Sequence, residues 1–156
     1  MNDLTVREQL LFLLRGGGAH MPFEQAVADF PAEQYNSKPP NLTYSFWHLL
    51  EHIRIAQEDI LAFIHNPDYI SPKWPEGYWP SEDALAGEAE WKETLEKIHA
   101  DTLRFEDLVE DPEVDLYAHL AHAPDYNIFR EVLVVADHNA YHIGEFCILR
   151  QVMQLW

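Results

Sequence analysis

Asp137-His138-Asn139-Ala140-Tyr141-His142-Ile143-Gly144-Glu145 is the stretch on which the reading of this chain turns. It falls in a segment from about Tyr126 almost to Trp156. The apolar spacing of Ile128, Val132, Val135, Phe146 and Leu149 marks this segment as one long helix. His138 and His142 stand four residues apart, so at about 3.6 residues per turn they lie one above the other on one face. Two imidazoles so placed can chelate one ion. His48 and His52 repeat the spacing upstream, and one ligand from that second pair would complete a three-histidine site with an open position. Spacing alone does not say which of His48 and His52 faces the other pair. Half-buried histidines that merely donate to carbonyls have the same spacing.

Working outward, the remaining pattern is also helical. Leu4, Leu10, Leu11, Leu13 and Leu14 predict a helix over Asp3 to Arg15, which Gly16, Gly17 and Gly18 break. Pro22 suits the first turn of a shorter piece carrying Phe23, Ala26, Val27 and Phe30. After a proline-punctuated loop over Pro31 to Leu42, Thr43 or Ser45 can cap a helix that runs to about His65. A ring-rich loop, Asp68 to Pro80, follows. Ser81 is the expected cap of the next helix, with Glu82 and Asp83 in its first turn and an end near Val109. A loop over Asp111 to Asp125 holds His119 and His122. With no repeat, no linker and no strand-like alternation, the expectation is a single domain over 1–156. Its fold class is all-α, a four-helix bundle with long connecting loops.

Charge narrows the function. Ten basic against 27 acidic residues give a formal net charge of −17, which repels phosphate backbones and anionic bilayers. Neither nucleic acid nor membrane is an expected partner. The lone Cys147 and the absence of an export-like apolar run suit a reducing cytoplasm. Cys147 follows His138 by nine residues, about 180° around a helix, and reads as a small buried hydrophobe, not a ligand. No nucleophile elbow, P-loop or dinucleotide glycine motif occurs.

Trp47-His48-Leu49-Leu50-Glu51-His52-Ile53, taken with the 137–145 stretch, resembles the DinB-like (YfiT-like) helical-bundle superfamily. Its last helix typically reads D-H-x-x-Y/H-H-x-G-Q, then L-R. Asp137, His138, His142, Gly144, Leu149 and Arg150 match, while Glu145 stands where glutamine is usual. The resemblance implies a metal site of His52, His138 and His142, with His48 and Tyr141 beside the ligands or in the pocket. It further implies one divalent ion, zinc or nickel, and a metal-dependent thiol transferase with a low-molecular-weight thiol such as bacillithiol, mycothiol or glutathione as cosubstrate. A homodimer is in keeping with it, and Val152, Leu155 and Trp156 are candidate contacts.

Helical angles add two carboxylates. Glu145 follows His138, and Asp59 follows His52, by seven residues, which is about 20° of rotation. Each can orient a ligand or act as a catalytic base on a small-molecule substrate, or else be a solvated carboxylate. Asp137, about 100° from His138, is expected to pack against a partner helix. His119 and His122 are a weaker metal-binding pair. His20, His65 and His99 read as surface or capping residues. Besides thiol or water activation, two alternatives stand: a metal-dependent hydrolase with Glu145 or Asp59 as base, and a non-catalytic binding bundle.

Overall fold

The computed structural model describes residues 3–156. Five helices carry the fold: α1 (Asp3–Arg15), the short α2 (Phe23–Val27), α3 (Phe46–His65), α4 (Glu88–Glu110) and α5 (Ile128–Val152). α1 and α3 each pack against both α4 and α5, so the long helices run around the bundle in the order α1, α4, α3, α5. The architecture is all-α.

Local chemistry sets the helix ends. Gly16 takes a positive φ of 67° immediately after α1, a conformation that costs glycine little. Ser45 caps α3 by accepting from the His48 backbone N–H at 3.2 Å, and Asn127 caps α5 through Arg130 N–H at 2.8 Å. Pro22 sits at the N-cap of α2, one residue before its first turn.

Ser81 does not cap α4. That helix starts at Glu88, behind Gly87, whose N–H is accepted by the Glu90 carboxylate at 2.8 Å. The cause is a long-range clamp. The Asn36 amide bonds both the N–H and the C=O of Ala86, each at 2.8 Å, which takes those groups away from any helical ladder. Lys38 donates to the Glu82 carbonyl and His48 meets the Ala84 carbonyl, so the segment before α4 is stitched to the segment before and within α3. The 111–125 loop holds a small antiparallel hairpin, β1 (His119–Leu120) with β2 (Ala123–Asn127), which no alternation announced.

Two clusters of buried side chains fill the bundle. One gathers Phe30, Phe46, Leu49, Leu50, Ile53, Trp91, Ile98 and Phe146. The other gathers Leu10, Leu61, Ile64, Phe105, Val109, Leu116, Val132 and Val135. Phe46 at the start of α3 meets Phe146 near the end of α5, ring centroids 5.3 Å apart, while Leu61 and Val132 share the other cluster. α3 and α5 are therefore antiparallel, and this register sets His52 opposite His138 and His142. Two buried arginines tie chain ends to the bundle. Arg7 donates to the Val109, Asp111 and Val114 carbonyls at 2.7, 2.9 and 2.7 Å, and Arg150 to the Ala26, Ala28 and Leu155 carbonyls. Of the chain-end side chains, Leu155 packs on the core, whereas Val152 and Trp156 are exposed.

Candidate metal centre

The three rings converge between α3 and α5. Ring centroids lie 4.9 Å (His52–His138), 4.7 Å (His52–His142) and 4.5 Å (His138–His142) apart. One nitrogen from each falls within 4.8 Å of the others, and the His138 and His52 Nε2 atoms are 3.1 Å apart. Nitrogens at about 2.0–2.1 Å from a tetrahedral zinc stand about 3.3 Å from one another, so the spacing suits a shared cation. Among the described residues this is the one group of three or more histidine, cysteine or acidic side chains so arranged.

Hydrogen bonds say which nitrogens are free. His52 Nδ1 lies 2.8 Å from the Tyr78 carbonyl, which can only accept, so Nδ1 carries the proton and the Nε2 lone pair points inward. His142 Nδ1 lies 2.8 Å from Glu145 Oε2, which commits it the same way and leaves its Nε2 as the inward atom. Burial pushes the His138 imidazole down to about 4, helped by the neighbouring His142 and His52. Burial also lowers His52, against an opposing bond to Tyr78. Two histidines thus favour the neutral form that ligates a metal. The donor set and its fixed tautomers fit a divalent ion.

The two carboxylates on the histidine faces brace the site from different sides. Glu145 is the partner of His142, and its other oxygen accepts from the Tyr44 hydroxyl. Burial raises its carboxyl, but the bonds from His142 and Tyr44 outweigh that, and it settles below the usual range. Asp59 touches none of the three rings through a hydrogen bond. Its Oδ2 accepts from the Tyr78 hydroxyl at 2.7 Å, and the Tyr78 carbonyl holds His52. Burial and the bond to Asp59 push the Tyr78 phenol up to about 12, so it stays protonated as a donor.

His48 is buried yet turned away. Its Nε2 meets the Ala84 carbonyl at 2.8 Å, and its ring lines a surface cavity of ≈ 430 Å³ with Tyr44, Glu76, Trp79 and Glu82. Tyr141 is exposed, with its ring perpendicular to His142 at 4.8 Å. Asp137 is exposed to solvent and not, as expected, buried against a neighbouring helix. Cys147 sits among core-facing side chains, its thiol 3.9 Å from the Met21 sulfur. In the hairpin region His122 meets the Phe63 carbonyl at 2.9 Å.

Three further residues stand at the site. Tyr78 and Trp79 belong to the ring-rich loop, which from sequence could roof the pocket, meet a second copy or simply pack over the bundle, and Tyr44 was not singled out from sequence. Trp79 stacks face to face on His52, centroids 4.1 Å apart and planes within 3°. Tyr78 supplies its carbonyl to His52, and Tyr44 both bonds Glu145 and leans on Trp79 at 5.0 Å. The richness of rings in the 68–80 loop was the available signal, but a loop has no periodicity to say which ring points where.

Residues 18–146, well over half of the chain, match the family model described as the DinB superfamily. No curated protein and no solved structure matches the chain.

Proposed function

The chain belongs to the DinB superfamily, and on that footing we propose that it is a metal-dependent enzyme that activates a small thiol. His52, His138 and His142 would hold one divalent ion, zinc or nickel, through their inward nitrogens. The observation that carries this reading is the pair of Nδ1 contacts, His52 to the Tyr78 carbonyl and His142 to the Glu145 carboxylate, which leaves both Nε2 atoms for a common centre. When bound, the ion supplies a fixed positive charge that lowers the pKa of a thiol or water in contact with it.

The surrounding residues favour thiol over water. Both Glu145 oxygens are taken, whereas one Asp59 oxygen accepts from Tyr78 and the other is buried without a partner. Glu145 is therefore not free as a general base, and Asp59 hydrogen-bonds Tyr78 and none of the three rings, so each is read as a positioning residue. A thiol starts at about 8.5 and needs only about two units of lowering to ionise at pH 7. Water starts at about 15.7 and gains more from a dedicated base. Trp79 covers His52 and keeps bulk water from that side of the ring. The adjoining cavity presents Tyr44 and Trp79 with Glu76 and Glu82, and no lysine or arginine. It suits a neutral or cationic small-molecule electrophile with an apolar body.

The test uses protein purified without a histidine tag. Elemental analysis should find about one divalent ion per chain. The loaded protein, given glutathione, bacillithiol or mycothiol together with a chlorodinitrobenzene electrophile, should form the thioether at a rate that depends on one of the thiols. Hydrolysis of a nitrophenyl ester with no thiol-dependent rate would replace this reading by the hydrolase. Absence of bound metal, with the three histidine variants as stable as the native chain, would leave a non-catalytic bundle.

A further inference from the structure

α1 is the short member of the four long helices. Its 13 residues rise about 20 Å, against about 35 Å for the 23 residues of α4. Gly16, Gly17 and Gly18 stop it, and the segment that follows fills only part of the place its missing turns would take. What remains is a cleft of ≈ 180 Å³. Side chains of α4 and α5, which are not neighbours in the bundle, line it together with Ile53 of α3. The end of α1, with His20 and Phe23, completes the lining.

The cleft stands apart from the candidate metal centre. His52, His138 and His142 are each followed in the chain by a residue that lines it: Ile53, Asn139 and Ile143. One residue is about 100° of helix, so the cleft meets a different face of α3 and α5 from the one that carries the rings. It shares no lining residue with the cavity beside Trp79.

Its chemistry selects an occupant. The volume is slightly above the about 150 Å³ of an apolar cavity that takes up benzene, so one substituted ring fits. The charged side chains pair with one another near the surface: Arg15 with Glu106 and Glu110, and Glu24 with His99 at 3.7 Å. Deeper in, Ile53, Ile98 and Ile143 are buried and apolar, and an ion among them would lose its hydration without gaining a partner. Thr102 is spent, donating to the Ile98 carbonyl and accepting from Gln57. Asn139 is not, for its Oδ1 has no partner. A half turn about the last side-chain bond exchanges the two edges of an amide, so this wall can offer a donor or an acceptor. A pure hydrocarbon would leave that amide unpaired, at a cost. We infer that the cleft is a second small-molecule site, for a neutral single-ring compound that carries a hydroxyl or amide group. It holds its ligand whether or not the histidines hold a metal.

The experiment titrates phenol and benzamide into the native chain and follows side-chain methyl groups by NMR. Both probes should bind saturably with a dissociation constant of about 1 mM or tighter. Nuclear Overhauser contacts should run from the probe to the methyl groups of Ala136 and Ala140, and a chelator should not abolish them. Benzoate, of the same size but charged, should bind about tenfold or more weakly than benzamide. Ala140→Leu, which fills the cleft, should weaken both probes about tenfold or more with the helical circular dichroism unchanged. Asn139→Leu, close in volume but without the amide, should weaken phenol and benzamide about tenfold and spare benzene. Saturating probe with no contact to those methyl groups overturns the site, and needs no variant to fold. Binding that Ala140→Leu leaves unchanged, or that a chelator removes, does the same. Benzoate bound as tightly as benzamide overturns the neutral class of ligand, and phenol held unchanged by Asn139→Leu overturns the part given to the amide.

Discussion

α3 and α5 each carry two histidines at the same i, i+4 spacing, and the two pairs meet different ends. On α5, His138 and His142 both turn into one centre, rings 4.5 Å apart. On α3 the pair divides: His52 joins that centre, while His48, one turn earlier, bonds the Ala84 carbonyl and lines the neighbouring cavity. Helical spacing puts two side chains on one face, but a face about 40° wide spans more than one neighbour. What separates them is what lies above each turn of α3. His52 sits under Trp79 and opposite α5, whereas His48 sits under the stitched segment before α4.

The comparison breaks most visibly at the ligands. His52→Ala, His138→Ala and His142→Ala should each abolish stoichiometric zinc uptake, an effect exceeding the about 10–100-fold expected from losing only a ligand's hydrogen-bond partner. His48→Ala should hold zinc within about threefold of the native chain. Equal losses from all four would erase the distinction between the pairs, and chelator competition reads it directly.

Acid should act next most strongly, and through the centre. His138 titrates near 4 in the folded chain against 6.5 as its ordinary value, so protons prefer the unfolded state. The stabilisation is fully present above pH 6.5 and is lost as pH falls toward 4. The metal-free protein should lose about 3 kcal/mol over that window, with His52 acting in the same direction. Urea melts of the native chain and of His138→Gln, which lacks the titrating ring, should diverge as the pH falls. Parallel profiles would show that the ring is not held neutral.

A smaller effect separates the two braces. Glu145→Ala should weaken zinc about 10–100-fold, because it strips the acceptor from His142. Glu145→Gln, which keeps an acceptor oxygen, should recover most of that loss. Tyr78→Phe breaks only the link to Asp59 and leaves the carbonyl on His52, so it should cost less than about tenfold. Isothermal titration with zinc ranks the three.

The smallest effect lies with the histidine that turned away. His48→Ala should cost about 1–2 kcal/mol of stability by leaving the Ala84 carbonyl without its partner, with little change in zinc affinity. Thermal melts in the presence and absence of zinc separate the two quantities.

Much of this was legible from residue order. The C-terminal end of α1, the Ser45 alternative for the cap of α3, and the outward direction of Cys147 from the histidine face follow from spacing and caps. Glu145 on the histidine face follows from the same arithmetic, although that arithmetic aligned it with His138 and the structure pairs it with His142. The start of α4 does not. Ser81 followed by two acids has every mark of a helix start, and it lost to two hydrogen bonds from Asn36, 50 residues away in the chain. A cap worth about 1 kcal/mol yields when the two Asn36–Ala86 hydrogen bonds, about 1 kcal/mol each, hold that backbone out of the helix. The rings that cover the centre, Trp79 and Tyr44, also come from segments without a period, so their directions were not readable.

The sequence alone determined that this chain is built of long amphipathic helices and that two of them carry histidine pairs on a single face. Those facts depend on local geometry, 3.6 residues per turn, and need nothing from elsewhere in the chain. Only the tertiary structure decided how the α3 pair divides between α5 and the segment before α4, and that Asp59 bonds Tyr78, whose carbonyl meets His52. These depend on the antiparallel register of α3 against α5 and on loops pinned by distant hydrogen bonds. Contacts of that kind are set by packing across the bundle, which no local pattern encodes.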